Sequence, residues 1–377
     1  VLTTLTNAPR DYAWGSRTLI AALEGRQASA GPEAEVWFGD HPADPAELPD
    51  GTGLDEWTAA HGGRLPYLLK LLAAGSPLSI QVHPTKRQAA AGRAAEAGLP
   101  AGAPRNYADD NHKPELLVAL SDRFEALCGL RRAADTKRLL ASLGGAADEL
   151  VERIPEDAAL GAAVGWLLSG DAQQLTDGVI AALAEARSTE FAATLANARR
   201  IALAHPGDPG VVVALMMNHI ILRRGEGVFL RAGLLHAYVS GLGVEVMAAS
   251  DNVLRGGLTP KHIDVDELMT VLDPAPGPVP VVLPTSAAGS SRGVEAFEVP
   301  IDDFSLLRAR VAPGADARVS LTGPAIALAT DGDVTVRHAG DSLVLRPGQA
   351  ALMTPDADAE FTGTGTVFVA QPGGYPS

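Results

Sequence analysis

The chain has 377 residues, 46% of them hydrophobic and 20% charged, with a formal net charge of -15; this is an ordinary globular balance, longer than one core normally fills, so two or three domains are expected. The acidic excess argues against nucleic acid or an anionic membrane as partner, no apolar run is long enough to cross a bilayer, and the stretch VLTTLTNAPRDYAWGS lacks the basic start and apolar core of a signal peptide. A soluble, cytoplasmic, monomeric protein is the expectation, and its single cysteine, Cys128, argues against an internal disulfide or a thiolate zinc cluster.

From the start to about residue 131, short apolar or alternating segments (EAEVWFG, LPYLLKLL, LSIQVHP, ELLVAL) are separated by Gly, Pro and Asp, a pattern that predicts strands. Between Arg131 and Pro209 the texture changes to Ala, Leu, Glu and Arg at helical spacing, as in TKRLLASL and FAATLANARRIALA. VVVALMMNHIIL, residues 211–222, is too uniformly apolar to show a period and is taken as one buried helix. Short strands are expected again through GVFLRAG, HAYVSG and GVEVMA. A Pro-rich linker from about Asp273 then leads into a last strand-rich segment. The expected fold is mainly β with an α-helical insertion, divided as 1–131 plus 210–271, 132–209, and 272–377.

Three separated segments present metal-ligand side chains: Gln81 and His83 in LSIQVHP, Glu115 in NHKPELL, and His236 in GLLHAYV. Residues i and i+2 of a strand share a face, so Gln81 with His83, Lys113 with Glu115, and His236 with Tyr238 are expected to project together. Two imidazoles, a carboxylate and an amide oxygen suit a borderline divalent ion such as Zn²⁺, one per chain. A shared cation also explains why strand-embedded polar residues would be buried. His41 and His112 are candidates to stand behind these ligands. His61, His205, His219, His262 and His338 read as structural or surface residues.

Downstream, EVMAASDNVLRGGLTPK concentrates Glu245, Asp251, Asn252, Arg255 and Lys261. Cations in an otherwise acidic chain suggest an anionic ligand, most simply a phosphate, and Gly256-Gly257 offers a backbone that a ligand could approach closely. An always-charged guanidinium at Arg255 suits compensation of negative charge, and Lys113 or Glu245 could move a proton if its surroundings shift its pKa toward neutrality, with Lys113 preferred.

The run GEGVFLRAGLLHAYVS resembles the second signature of the cupin barrels, with Gly225, Gly233 and His236 at its fixed positions. The ordered blocks YAWGS, EVWFGDHP, LPYLLKLL, PLSIQVHP, NHKPELLVAL, LCGLR, GEGVFLRAGLLHAY and EVMAASDNVLRGGLTPKHIDV resemble type I phosphomannose isomerase over roughly residues 1 to 270. The resemblance implies two cupin barrels, the second degenerate and lacking a metal site. It also implies zinc at Gln81, His83, Glu115 and His236, a catalytic Arg255, and substrate contacts from Ser79, Lys113, Glu245 and Lys261, with Lys70, Tyr238 and Asp251 beside them. The substrate would be a small phosphosugar. Two rivals are a metal-bound cupin that binds sugars without turnover, and an oxygen-using iron cupin; the amide of Gln81 argues for a redox-silent ion.

Overall fold

The computed structural model describes residues 1–100, 102–287 and 293–374. Within them the chain is mostly β, in two antiparallel sheets with helices between two strands of the first.

The first sheet is organised around one long strand, His236–Ala248. It pairs with Tyr67–Ala74, Gln81–Val82, Glu115–Ala119 and Phe124–Leu130, so residues far apart in sequence meet along a single backbone. HAYVSG and GVEVMA were expected as separate strands. They are continuous, because Gly241 at φ 124° bends the backbone against Phe124 instead of reversing it.

The pleat sorts the side chains. Leu69, Leu71, Leu116, Val118, Val244 and Val246 face the second sheet and share a core with Leu306, Ile326, Leu328, Leu352 and Phe368. The alternate positions Leu72, Leu117, Cys128 and Tyr238 face inward, where a separate apolar cluster lines the interior. Lys70, Glu115 and Glu245 alternate with the outward set and so fall on that interior face, and all three are buried.

Helices from Ala133–Leu140 to Gly210–Met216 lie between Phe124–Leu130 and Met217–Leu222 in chain order, and their core, built around Leu139, Leu150, Val164, Val179 and Val213, continues onto Val82, Leu127, Ala237 and Leu254 of the first sheet. The expected single helix over 211–222 is half helix and half strand: Gly210–Met216 is helical, and Met217–Leu222 pairs with Phe124–Leu130. Uniform apolarity hid the switch. The strand half is fastened where the pairing register slips, by Asn218 Nδ2, which donates to the carbonyls of Cys128 and Leu130.

In the second sheet the long strands Ala325–His338 and Ala359–Gln371 pair along most of their length. Leu2–Leu5 joins this sheet through Ala350–Met353, while Val281–Val282 pairs with Gly227–Leu230 of the first. Sheet membership therefore crosses the expected divisions at both ends. Among the described residues, no helix is long and apolar enough to cross a membrane.

Candidate metal centre and cavity

The strand Gln81–Val82 lies between Leu254–Arg255 and the start of the long strand, so that Gln81 stands opposite Arg255 on one side and His236 on the other. Glu115 enters from the next strand along, and His83 follows Val82 directly. Lys113 precedes its strand by one proline and does not sit in it, yet its ammonium still lies 3.1 Å from Glu115 Oε1.

His83, Glu115 and His236 are buried, and one donor atom from each lies within 4.8 Å of the others. His83 Nε2 is 3.3 Å from Glu115 Oε1, and His236 Nε2 is 3.4 Å from Glu115 Oε2. These are not ordinary ion pairs. The Nδ1–H of His83 donates to the carbonyl of Asn252 at 2.7 Å and that of His236 to the carbonyl of Leu234 at 2.9 Å, which leaves a lone pair on each Nε2. Burial pulls the His83 imidazole down to about 4, so it is neutral at pH 7. Three acceptors thus face one another with no donor between them. Of the four buried side-chain polar atoms without a partner among the described residues, three are His83 Nε2, His236 Nε2 and Glu115 Oε2.

A divalent cation fits this arrangement. Two ligands each about 2.1 Å from a tetrahedral ion stand about 3.4 Å apart. Burial alone would raise the Glu115 carboxyl, but the Lys113 ammonium beside it holds it well below the usual carboxylate range, in the ionised form a metal needs.

The centre opens into a cavity of about 690 Å³. Ser79, Gln81, Lys70, Lys113, Glu115, Tyr238, Glu245, Asp251, Arg255 and Lys261 all line it, with His83 and His236 buried behind. Arg255 is half-buried, and only burial moves its guanidinium, downward; among the described residues no carboxylate compensates it. The Lys261 side chain is exposed at the rim. On the opposite wall Lys70 Nζ lies 3.2 Å from Glu245 and 3.7 Å from Glu35. Burial would lower this ammonium, but Glu35, Glu245 and Glu115 reverse the effect and keep it charged. Tyr238 donates its hydroxyl to Glu245 at 2.8 Å, its own pKa pushed well up by burial and by that carboxylate. Burial raises Glu245 as well, against the pull of Lys70.

Sequence reasoning did not single out Glu35 or Trp37. Glu35 accepts the Trp37 indole N–H at 2.7 Å and so aligns the charge that faces Lys70. EAEVWFG shows only an acid two residues from a tryptophan in an apolar stretch, which does not by itself mark a cavity group. His41 does stand behind a cavity residue, 2.9 Å from Asp251. His112 instead bonds Asp303 of the C-terminal segment at 2.8 Å. At Gly257 the close approach seen is to the helical segment, since a Cβ there would meet the Gly210 backbone at 2.5 Å.

Residues 2–133 match the family model of the phosphomannose isomerase type I catalytic domain. The mannose-6-phosphate isomerase of Salmonella typhimurium is 35% identical to this chain over 96% of it and 97% of the relative. The chain belongs to the type I phosphomannose isomerases. The mannose-6-phosphate isomerase of Escherichia coli, another member, is 34% identical over 93% of this chain and 94% of its own. A point mutant of the phosphomannose isomerase from Salmonella typhimurium superposes with a TM-score of 0.88 at 32% identity, covering 99% of both chains. A mannose 6-phosphate isomerase bound with zinc and yttrium superposes with a TM-score of 0.86 at 33% identity, again over 99% of both. The activity of this family is that of an aldose–ketose isomerase.

Proposed function

We propose that this chain is a zinc-dependent mannose-6-phosphate isomerase that interconverts mannose 6-phosphate and fructose 6-phosphate at the cavity of the first sheet, with one ion held by Gln81, His83, Glu115 and His236. The observation that carries the metal is the set of three buried acceptors with no donor among them; family membership carries the reaction. We read the two sheets as cupin barrels, the first built mainly from 1–131 and 210–271 around a helical insertion at 132–209, and the second, mainly 272–377, as a degenerate copy without a metal, with Leu2–Leu5 lent to the second sheet and Val281–Val282 to the first. A monomer acting in the cytoplasm on a free phosphosugar, without nucleic acid or membrane, completes the reading.

Bound zinc supplies Lewis-acid polarisation of the sugar's carbonyl and hydroxyl oxygens. The protein must do the rest. Once the ring is open, a proton moves between C2 and C1 through an enediol. Glu245 is suited to carry it, because burial lifts its carboxyl toward neutrality while Tyr238 and Lys70 hold its oxygens in place. Lys113, preferred from the sequence, sits 3.1 Å from Glu115 and keeps the role of a fixed charge beside the sugar oxygens. Arg255, a guanidinium with no carboxylate partner among the described residues, offsets the negative charge that develops on the enediolate. Lys261 at the rim, with Ser79, receives the phosphate, and Asp251, held by His41, faces the sugar hydroxyls.

A coupled assay of mannose 6-phosphate conversion on the full chain, before and after chelation, tests reaction and metal together. Turnover lost on chelation and regained with zinc is the expected result. Full turnover in a metal-free protein would refute the site.

A further inference from the structure

The loop from Gly256 to Lys261 runs from the Arg255 strand along the cavity wall, and the helical segment grips it from behind. Gly257 stands at φ 114° and Leu258 at φ 57°, the latter a left-handed conformation that a leucine keeps only where its surroundings impose it. They do so here. A Cβ on Gly210 would lie 2.6 Å from Leu258 N, so the two backbones touch with no room for a side chain between them. The Leu258 side chain is anchored in the helical core.

Asp208 sits in the turn that enters the Gly210–Met216 helix, and its carboxylate is shared between this turn and the loop. Oδ1 accepts the Gly210 N–H at 2.7 Å, and Oδ2 accepts the Thr259 N–H at 3.1 Å. Thr259 Oγ1 in turn accepts the Lys261 N–H at 3.2 Å, with Pro260 fixing the φ angle between them. His205, three residues before Asp208, lines the same cavity. A connected set of hydrogen bonds therefore runs from the helical segment to the backbone of the rim lysine.

We propose that Asp208 is a positioning residue for substrate recognition: through Thr259 it sets where Lys261 stands, and so gives the helical segment control over affinity for the sugar phosphate. The inference rests on the isomerase reading, in which Lys261 meets the phosphate. Asp208 touches no substrate, so its loss acts through binding and spares the chemical step.

The test compares the full-length wild type with Asp208→Ala, Asp208→Asn, Lys261→Ala and the Asp208→Ala/Lys261→Ala double variant. Steady-state assays use mannose 6-phosphate, and calorimetric titration uses inorganic phosphate. Asp208→Ala is expected to raise KM about tenfold with kcat nearly unchanged, and to weaken phosphate binding by the same factor. Asp208→Asn, which keeps one acceptor oxygen, falls between; it carries the test if the alanine variant does not fold. The double variant shows no higher KM than Lys261→Ala alone. Unchanged KM and phosphate affinity, a fall in kcat alone, or KM increases that multiply in the double variant would each overturn the proposal. A wild type that binds phosphate more tightly than Asp208→Ala yet never converts mannose 6-phosphate would support Asp208 and sink the isomerase reading instead.

Discussion

Each of the two sheets buries a histidine, and the contrast between them separates a structural polar group from a functional one. His338 in the second sheet has both ring nitrogens within 3.3 Å of an oxygen, from the Asp358 carbonyl and the Asp356 carboxylate. His83 and His236 in the first sheet satisfy Nδ1 only, and leave Nε2 facing other acceptors. The same division holds for charge. Arg308, buried in the second sheet, is closed off by Glu295 at 2.8 Å, whereas Arg255 in the first has no such carboxylate among the described residues. Burial alone does not mark a site; several buried polar atoms left without partners and facing one another do, because each is kept against a free-energy cost that one shared ligand would offset.

The largest expected effect comes from removing one histidine of each kind. His236→Ala should lose its metal and its turnover together, while His338→Ala should retain both and lose about 1–3 kcal/mol of stability. Metal content by elemental analysis, kcat and thermal unfolding read the two variants in parallel, and an active, metal-free His236→Ala would erase the distinction. Next, Arg255→Ala should keep its metal and lose about 10²–10³ in kcat. Arg255→Lys should recover little of it, since the ammonium lacks the planar fork. Metal loss in Arg255→Ala would move this residue into the ligand scaffold.

The smallest effect concerns a carboxylate in the first sheet that is saturated with donors. Glu125 accepts from Arg123 at 2.7 Å, from His219 at 3.0 Å and from Arg200, and these outweigh burial to bring its carboxyl down to about 2. A folded-state pKa below the unfolded one adds stability that is present above the unfolded value and is lost as pH falls through the folded one. The stability gap between wild type and Glu125→Gln should therefore be full at pH 7 and shrink as pH falls from about 5 toward 3. A gap that does not change with pH would show that Glu125 works through shape and not charge.

Much of the site was legible because ligand chemistry is local. LSIQVHP, NHKPELL and GLLHAYV each declare a donor in a strand-forming context, and the acidic chain made the cations near Arg255 conspicuous. Glu35 was not legible as a cavity group, since its role comes from Lys70 on a neighbouring strand. The helix-to-strand switch at Met217 was also hidden, because an unbroken apolar run fits either state and pairing with Phe124–Leu130 decides it.

By itself, the sequence determined which residue types stand where, the alternation that turns Lys70, Glu115 and Glu245 toward one face, and the helical texture between the strands. Only the tertiary structure decided that Gln81 lies opposite His236, that His83 Nδ1 is spent on the carbonyl of Asn252, and that Asp208 reaches the loop of Lys261. The physical reason is that period and propensity act over a few residues, whereas strand register and hydrogen-bond saturation are set between segments more than a hundred residues apart, or across two backbones in contact, once the whole core has closed.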